Sequence, residues 1–313
     1  MKILVVMAVP VLFLAAHAAR ANSHQKVPVS TSRSSPILRI NDTTQTQLSG
    51  STELPFHLLS GFLIEVSGEI AGRVSLNFVL DTGSTISLVD NRIAAQLHLS
   101  LQPAQTLSFG TKARWQLTTI PEVRFGQIQA KDVDMMVGDL SSFSSYAKGI
   151  DAIIGTDLLK LSNFSIDYMT KKIVFHSELR EYARRAAQSP PTSTEPQSDC
   201  VILELQIQGH PVKLIVDTGF PGVLLYEERV RRAVPGLRFV RPPKPVIMGE
   251  SLHGQQGVLP DVLLGTHTDQ ITVFIIHDRA PGQLSGIDGV VGLPPLKAHR
   301  VDFDFLQKRL SWE

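Results

Sequence analysis

The chain is 313 residues long, 43% of them hydrophobic and 19% charged, which suits a protein that buries a core and excludes wholesale disorder. Thirty Lys and Arg against 29 Asp and Glu give a net charge of +1. No long basic or acidic block is present, so the electrostatic footprint of a nucleic-acid binder is missing. The single cysteine, Cys200, excludes intramolecular disulfides, cysteine-rich zinc sites and iron–sulfur clusters.

At roughly 150 residues per domain the length suggests two domains. Met1 and Lys2 precede an apolar run over residues 3–16, ILVVMAVPVLFLAA, and two small-x-small sites follow, Ala16-His17-Ala18 and Ala19-Arg20-Ala21. That is the layout of a cleaved export signal over residues 1–21, and the run is short for a membrane span, with Pro10 in its middle. An uncleaved anchor is the alternative. A lipoprotein anchor is excluded, because no cysteine follows the run. The mature protein is therefore expected to be periplasmic or secreted, with no membrane association after cleavage.

Residues 22–51 are rich in Ser, Thr, Gln and Asn and read as a flexible lead-in. From residue 52 onward, short apolar runs such as FHLLSGFLIEVSG and RVSLNFVL carry the signature of strands. Residues 177–199 break the pattern with a short helix-like stretch, LREYARRAA, and the polar, Pro-rich QSPPTSTEPQSD, a linker. Strand-like runs resume at VILELQIQG and VKLIVD. The expected lobes are 52–176 and 200–313.

The two lobes resemble each other. FVLDTGSTISLV (78–89) matches LIVDTGFPGVLL (214–225), and Ile150-Asp151-Ala152-Ile153-Ile154-Gly155 matches Ile287-Asp288-Gly289-Val290-Val291-Gly292. Ile166-Asp167-Tyr168 matches Val301-Asp302-Phe303, and KKIVF (171–175) matches KRLSW (308–312). Asp81 lies 74 positions before Gly155, and Asp217 lies 75 before Gly292. One Asp-Thr-Gly would arise by chance in roughly one such chain in twenty. Two copies, each with a matching glycine box at matching spacing, point to a tandem duplication.

An apolar strand ending in Asp-Thr-Gly sets a carboxylate on a sharp turn, with glycine supplying the backbone freedom. Two such lobes about an approximate twofold axis would bring Asp81 and Asp217 face to face. Carboxylates about 3 Å apart cannot both ionise, so the pair shares a proton. One member can then take a proton from a water while the other donates to the carbonyl oxygen under attack.

These motifs resemble the aspartic peptidases of the retropepsin-like and pepsin-like clan, over about residues 52–176 and 200–313. The resemblance implies an all-β fold of two related retropepsin-like β-barrel lobes in tandem with a central cleft. It implies Asp81 and Asp217 as the catalytic pair, supported by Thr82, Gly83 and Ser84 in one lobe and Thr218 and Gly219 in the other. Thr82 and Thr218 are expected to bond across the lobe interface. Ser84 is expected to donate its hydroxyl to Asp81. Phe220 stands at the matching position of the second lobe and cannot do the same, as in a bacterial and archaeal retropepsin-like subgroup with Asp-Thr-Gly-Phe. Both macroscopic pKa values of the pair should therefore sit above those of a dyad with two hydroxyl donors, as a property of the pair and not of one residue. Lobe size and the lack of disulfides fit a fused retropepsin-like pair better than a pepsin.

Gly110 and Gly249 are candidate tips of hairpin flaps over the cleft, with Trp115 a candidate cover and His253 a loop histidine nearby. Asp151 and Asp288 read as turn or capping residues, and Asp167 and Asp302 as openers of a late strand in each lobe. No His-Glu-x-x-His, Gly-x-Ser-x-Gly, Gly-x-Gly-x-x-Gly or phosphate-loop pattern is present, which leaves metallopeptidase, serine hydrolase and nucleotide chemistry without residues to carry them. The sequence thus predicts an aspartic endopeptidase that acts on peptide or protein substrates as a monomer, with no cofactor or metal and no nucleic-acid partner. The alternative is a peptide-binding pseudoprotease that keeps the cleft without turnover.

Overall fold

The computed structural model describes residues 53–108, 111–141, 149–176, 192–194, 200–248, 252–264, 267–277, 286–307 and 309–313. The expected export signal over residues 1–21, the lead-in over residues 22–51, the LREYARRAA stretch, Gly110, Gly249 and the side chain of Trp115 lie outside the described residues.

The first half contributes β1 (Glu53–Leu59), β2 (Leu63–Ile70), β3 (Arg73–Leu80), β4 (Leu88–Asp90), β5 (Gln102–Ser108), β6 (Thr111–Phe125), β7 (Ile128–Gly138), β8 (Ala152–Ile154), β9 (Asn163–Asp167) and β10 (Lys172–His176). Two short helices interrupt them, α1 (Asn91–Gln96) and α2 (Thr156–Leu159). The second half contributes β11 (Thr192–Thr194), β12 (Val201–Ile207), β13 (His210–Val216), β14 (Val223–Tyr226), β15 (Arg241–Met248), β16 (Leu252–Leu264), β17 (His267–Ile276), β18 (Gly289–Val291), β19 (Arg300–Asp304) and β20 (Arg309–Trp312), with α3 (Glu227–Ala233) after β14. Side-chain alternation drives these strands: in β10, Ile173 and Phe175 are buried while Lys172, Val174 and His176 are half-exposed.

Each half closes a six-stranded barrel. In the first, the order runs β2-β3-β8-β4-β7-β6, and β6 pairs back onto β2 through Glu69↔Arg124 and Ile70↔Val123. In the second it runs β12-β13-β18-β14-β17-β16, and β16 pairs back onto β12 through Gln206↔Leu263 and Ile207↔Val262. Closure leaves the barrel no free edge. The matched sequence segments occupy matched places. The strand before each Asp-Thr-Gly pairs in parallel with the strand of its glycine box, β3 with β8 and β13 with β18.

The last two strands do not stay with the second barrel. β19 pairs with β9 of the first half, setting Val301 opposite Ile166 and Phe303 opposite Phe164, and β20 extends the same sheet. The repeated segments Ile166-Asp167-Tyr168 and Val301-Asp302-Phe303 thus lie side by side. Phe164 stacks on Phe303 at 5.0 Å. Asn163 Nδ2 donates to Asp304 Oδ1 at 2.9 Å, and Asn163 Oδ1 accepts the Phe305 N–H at 2.9 Å. Asp167 and Asp302 do not open their strands as expected: Asp167 closes β9, and Asp302 sits in the middle of β19.

Candidate active site

β3 runs buried through Phe78, Val79 and Leu80 and delivers Asp81 at its end; β13 does the same for Asp217 through Leu214, Ile215 and Val216. Each turn is closed by its own backbone, Ser84 N–H to Asp81 O at 3.3 Å and Phe220 N–H to Asp217 O at 3.2 Å. Asp81, Thr82, Ser84, Asp217 and Thr218 are all buried.

The turns are tied to each other through their threonines. Thr82 Oγ1 donates to the Val216 carbonyl at 2.8 Å and accepts the Thr218 N–H at 3.1 Å. Thr218 Oγ1 donates to the Leu80 carbonyl at 2.7 Å and accepts the Thr82 N–H at 3.0 Å. Four buried hydrogen bonds satisfy backbone groups that would otherwise be orphaned where two strands end against each other. The two glycines make room for the carboxyls. A Cβ on Gly83 would lie 2.5 Å from Asp217 Cγ, and one on Gly219 would lie 3.1 Å from Asp81 Cγ.

The carboxyls are not equivalent. Asp81 Oδ1 accepts two N–H groups, Gly83 at 2.9 Å and Ser84 at 3.1 Å. Asp217 Oδ1 accepts one, Gly219 at 2.7 Å. Asp217 Oδ2 is buried and has no hydrogen-bond partner among the N–H and hydroxyl groups of the described residues. Burial pushes the Asp81 carboxyl up, and the hydrogen bonds from Asp217, Gly83 and Ser84 hold it back. Asp217 is pushed well above the carboxylate range, first by burial and then by the negative charge of Asp81, with Gly219 alone opposing. Both shifts favour a proton shared by the pair, and the poorer set of donors at Asp217 favours the neutral form there.

One expectation needs correction. The Ser84 hydroxyl does not reach Asp81; it donates to the Ile86 carbonyl at 2.8 Å, and Ser84 serves the carboxylate through its backbone N–H instead. Phe220 is fully buried and meets Phe274 edge-on at 6.4 Å. The donor difference between the two acids thus lies in the backbone rather than in a hydroxyl.

Asp151 and Asp288 act as turn-fixing acceptors, taking the Asn77 N–H at 2.8 Å and the Lys213 N–H at 2.9 Å. His253 is exposed on β16. Among the described residues no group of His, Cys, Asp and Glu side chains is placed to hold a metal ion, and no helix is long and apolar enough to cross a membrane.

Residues 66–158, from β2 through the Asp81 turn and its glycine box, match the family model described as aspartyl protease. The first lobe is thus similar to the aspartyl protease family. The aspartyl protease match ends within α2, before the second lobe begins. Among solved structures, a retropepsin-like aspartic protease from Rickettsia conorii is 16% identical, covering 39% of this chain and 86% of its own with a TM-score of 0.28. Basic 7S globulin from soybean is 10% identical, covering 83% of this chain and 94% of its own with a TM-score of 0.41. No curated protein matches the chain.

One buried, hydrogen-bonded acid beside the first turn escaped the sequence reading. Asp157, two residues after Gly155, is buried and accepts Ser87 N–H at 2.9 Å, Ser87 Oγ at 2.7 Å and Leu158 N–H at 3.0 Å. The available signal was the lobe comparison itself: Thr156-Asp157 in the first lobe is replaced by Leu293-Pro294 in the second.

Proposed function

We propose that the chain is an aspartic endopeptidase, with Asp81 and Asp217 as its catalytic pair and the cleft between two duplicated lobes as its active site. The observation that carries the reading is the pair of buried Asp-Thr-Gly turns joined by reciprocal threonine hydrogen bonds. The asymmetry of the acids supports the roles. Asp81, with two N–H donors, is the ionised member and takes a proton from a water held between the carboxyls. The resulting hydroxide bonds to the scissile carbonyl carbon as Asp217 gives its proton to the carbonyl oxygen, forming a neutral gem-diol. Return of the proton from Asp81 to the amide nitrogen lets the C–N bond break, and collapse of the diol restores the proton to Asp217. No covalent intermediate forms.

A tandem duplication is supported by the identical pairing order of the two barrels. Action as a monomer is supported by both acids coming from one chain. Export rests on the layout of residues 1–21, and the intact mass of protein from the exported fraction tests it, with a mature start expected at about Ala19 or Asn22. The function itself is tested by comparing peptide hydrolysis by the mature chain, Asp81→Asn and Asp217→Asn. A pseudoprotease would bind peptides and leave all three equally inert.

A further inference from the structure

The loop that follows Asp81 is fastened residue by residue to the start of α2. Thr156 sends both its N–H, at 2.8 Å, and its hydroxyl, at 3.1 Å, to the Ser84 carbonyl. Ser87 Oγ accepts the Gly155 N–H at 3.0 Å and donates to Asp157 Oδ1 at 2.7 Å, while Ser87 N–H donates to Asp157 Oδ2 at 2.9 Å. Ser84, Ser87 and Thr156 are completely buried, and Asp157 nearly so. Both carboxylate oxygens of Asp157 are thus spent on one residue of the loop, with Leu158 N–H as the third donor. A buried acid with three donors is a rigid clamp, because each lost bond would leave a polar group unsatisfied.

The second lobe lacks this clamp. At the matching positions Phe220, Val223, Leu293 and Pro294 replace Ser84, Ser87, Thr156 and Asp157. Gly292 N–H there bonds the Gly222 carbonyl at 2.7 Å, and the loop is otherwise packed by Phe220 against Phe274. The polar clamp stands only behind Asp81, the acid whose charged form depends on N–H groups of this loop.

We infer that Asp157, acting through Ser87, is a positioning residue for Asp81: it holds the 83–87 loop so that the Gly83 and Ser84 N–H groups stay aimed at the Asp81 carboxylate. This rests on the proposed peptidase reading only for its kinetic consequence. Loosening the loop weakens two hydrogen bonds to an anion, so the Asp81 carboxyl should titrate at higher pH. The groups that bear on Asp157 are Ser87 from the loop before β4, Leu158 N–H, and the Lys160 charge at the end of α2; Asp217 bears on Asp81.

The test uses Asp157→Asn, which keeps the shape but has one acceptor oxygen, and Ser87→Ala, which keeps every backbone bond to Asp157. Kinetic constants are taken per folded molecule, as measured by circular dichroism. The kcat of each variant should fall about tenfold or more, as expected when a reacting group is misplaced by a fraction of an ångström, with KM within about twofold and the acid limb of kcat/KM moved to higher pH. The double variant should lose little more than Asp157→Asn alone, because the residues act as one unit. A second readout needs no substrate: the carboxyl carbon-13 titration of Asp81, assigned by its loss in Asp81→Asn, should shift upward in both variants. Unchanged Asp81 titration and acid limb, with only stability reduced, would overturn the inference. Failure of the wild type to cleave any peptide would instead remove the peptidase reading and leave the titration to decide this one.

Discussion

Gly83 of the first turn lies against the carboxyl of Asp217 in the second: a methyl group on Gly83 would stand 2.6 Å from Asp217 Oδ2 and 2.9 Å from Oδ1. The close approach requires glycine here, since those atoms belong to a buried carboxyl that cannot swing away without breaking its bond to Gly219 N–H. Gly83→Ala should therefore slow peptide hydrolysis at least about a hundredfold by displacing Asp217. Gly222→Ala, whose methyl would meet Phe274 at 3.6 Å and Phe220 at 3.9 Å, both ordinary contact distances, should keep kcat/KM within about threefold of wild type. Steady-state kinetics on the two variants checks the contrast.

Either member of the acid pair should be indispensable. Asp81→Asn and Asp217→Asn keep the size of the side chain but cannot hold and pass the shared proton. Each should lower kcat/KM by about a thousandfold or more, in the range of general acid–base contributions, with the far-ultraviolet circular dichroism spectrum unchanged.

Stability should fall as pH rises. Asp81 and Asp217 are raised by burial, and Asp157 is raised by burial to about 6 from 3.8. An acid with a higher pKa in the folded state binds more protons there, so its contribution is fully present below the unfolded value and lost as pH climbs through the folded one. Glu122, Asp139, Asp167 and Asp269, held low by hydrogen bonds, act at lower pH. Denaturant unfolding at pH 4 and pH 7 should show the decline. Asp217→Asn should flatten it and raise stability at pH 7. A slope of the opposite sign would contradict the burial of these acids.

Removing the Ser84 hydroxyl should leave the acid limb of kcat/KM in place, because Asp81 is bonded by the Ser84 N–H and the hydroxyl serves Ile86. Ser84→Ala should cost about 1 kcal/mol of stability for the lost bond. An upward shift of the acid limb in that variant would restore the hydroxyl to a direct role.

Thr82→Val removes one donor and one acceptor from the contact between the turns. It leaves the Val216 carbonyl and the Thr218 N–H unsatisfied in a buried place. The expected loss is about 2–5 kcal/mol from two such groups, read as a lower denaturation midpoint together with reduced kcat.

Much of this molecule was legible before any coordinates. Asp81, Asp217, Thr82 and Thr218 stood out because the box occurs twice, and the threonines make the contacts that the resemblance to the aspartic peptidases implied. Alternation and turn residues marked the strands. The departure of β19 and β20 to pair with β9 was not legible, because Val301 and Phe303 fit any half-buried sheet equally well and the choice is made by contacts about 135 residues away. The Ser84 hydroxyl was misassigned because residue spacing does not say which of two nearby acceptors a rotamer selects. Asp157 was passed over because an acid beside a glycine box reads as a turn residue until its three donors are seen.

The measurement that bears most directly on the central claim is cleavage of a peptide library by the purified mature chain beside its Asp81→Asn variant, with products identified by mass spectrometry across mildly acidic to neutral pH. The account predicts internal peptide-bond cleavage by the wild-type chain and none above background by the variant. Equal cleavage by both, or peptide binding without cleavage by the wild type, would contradict it.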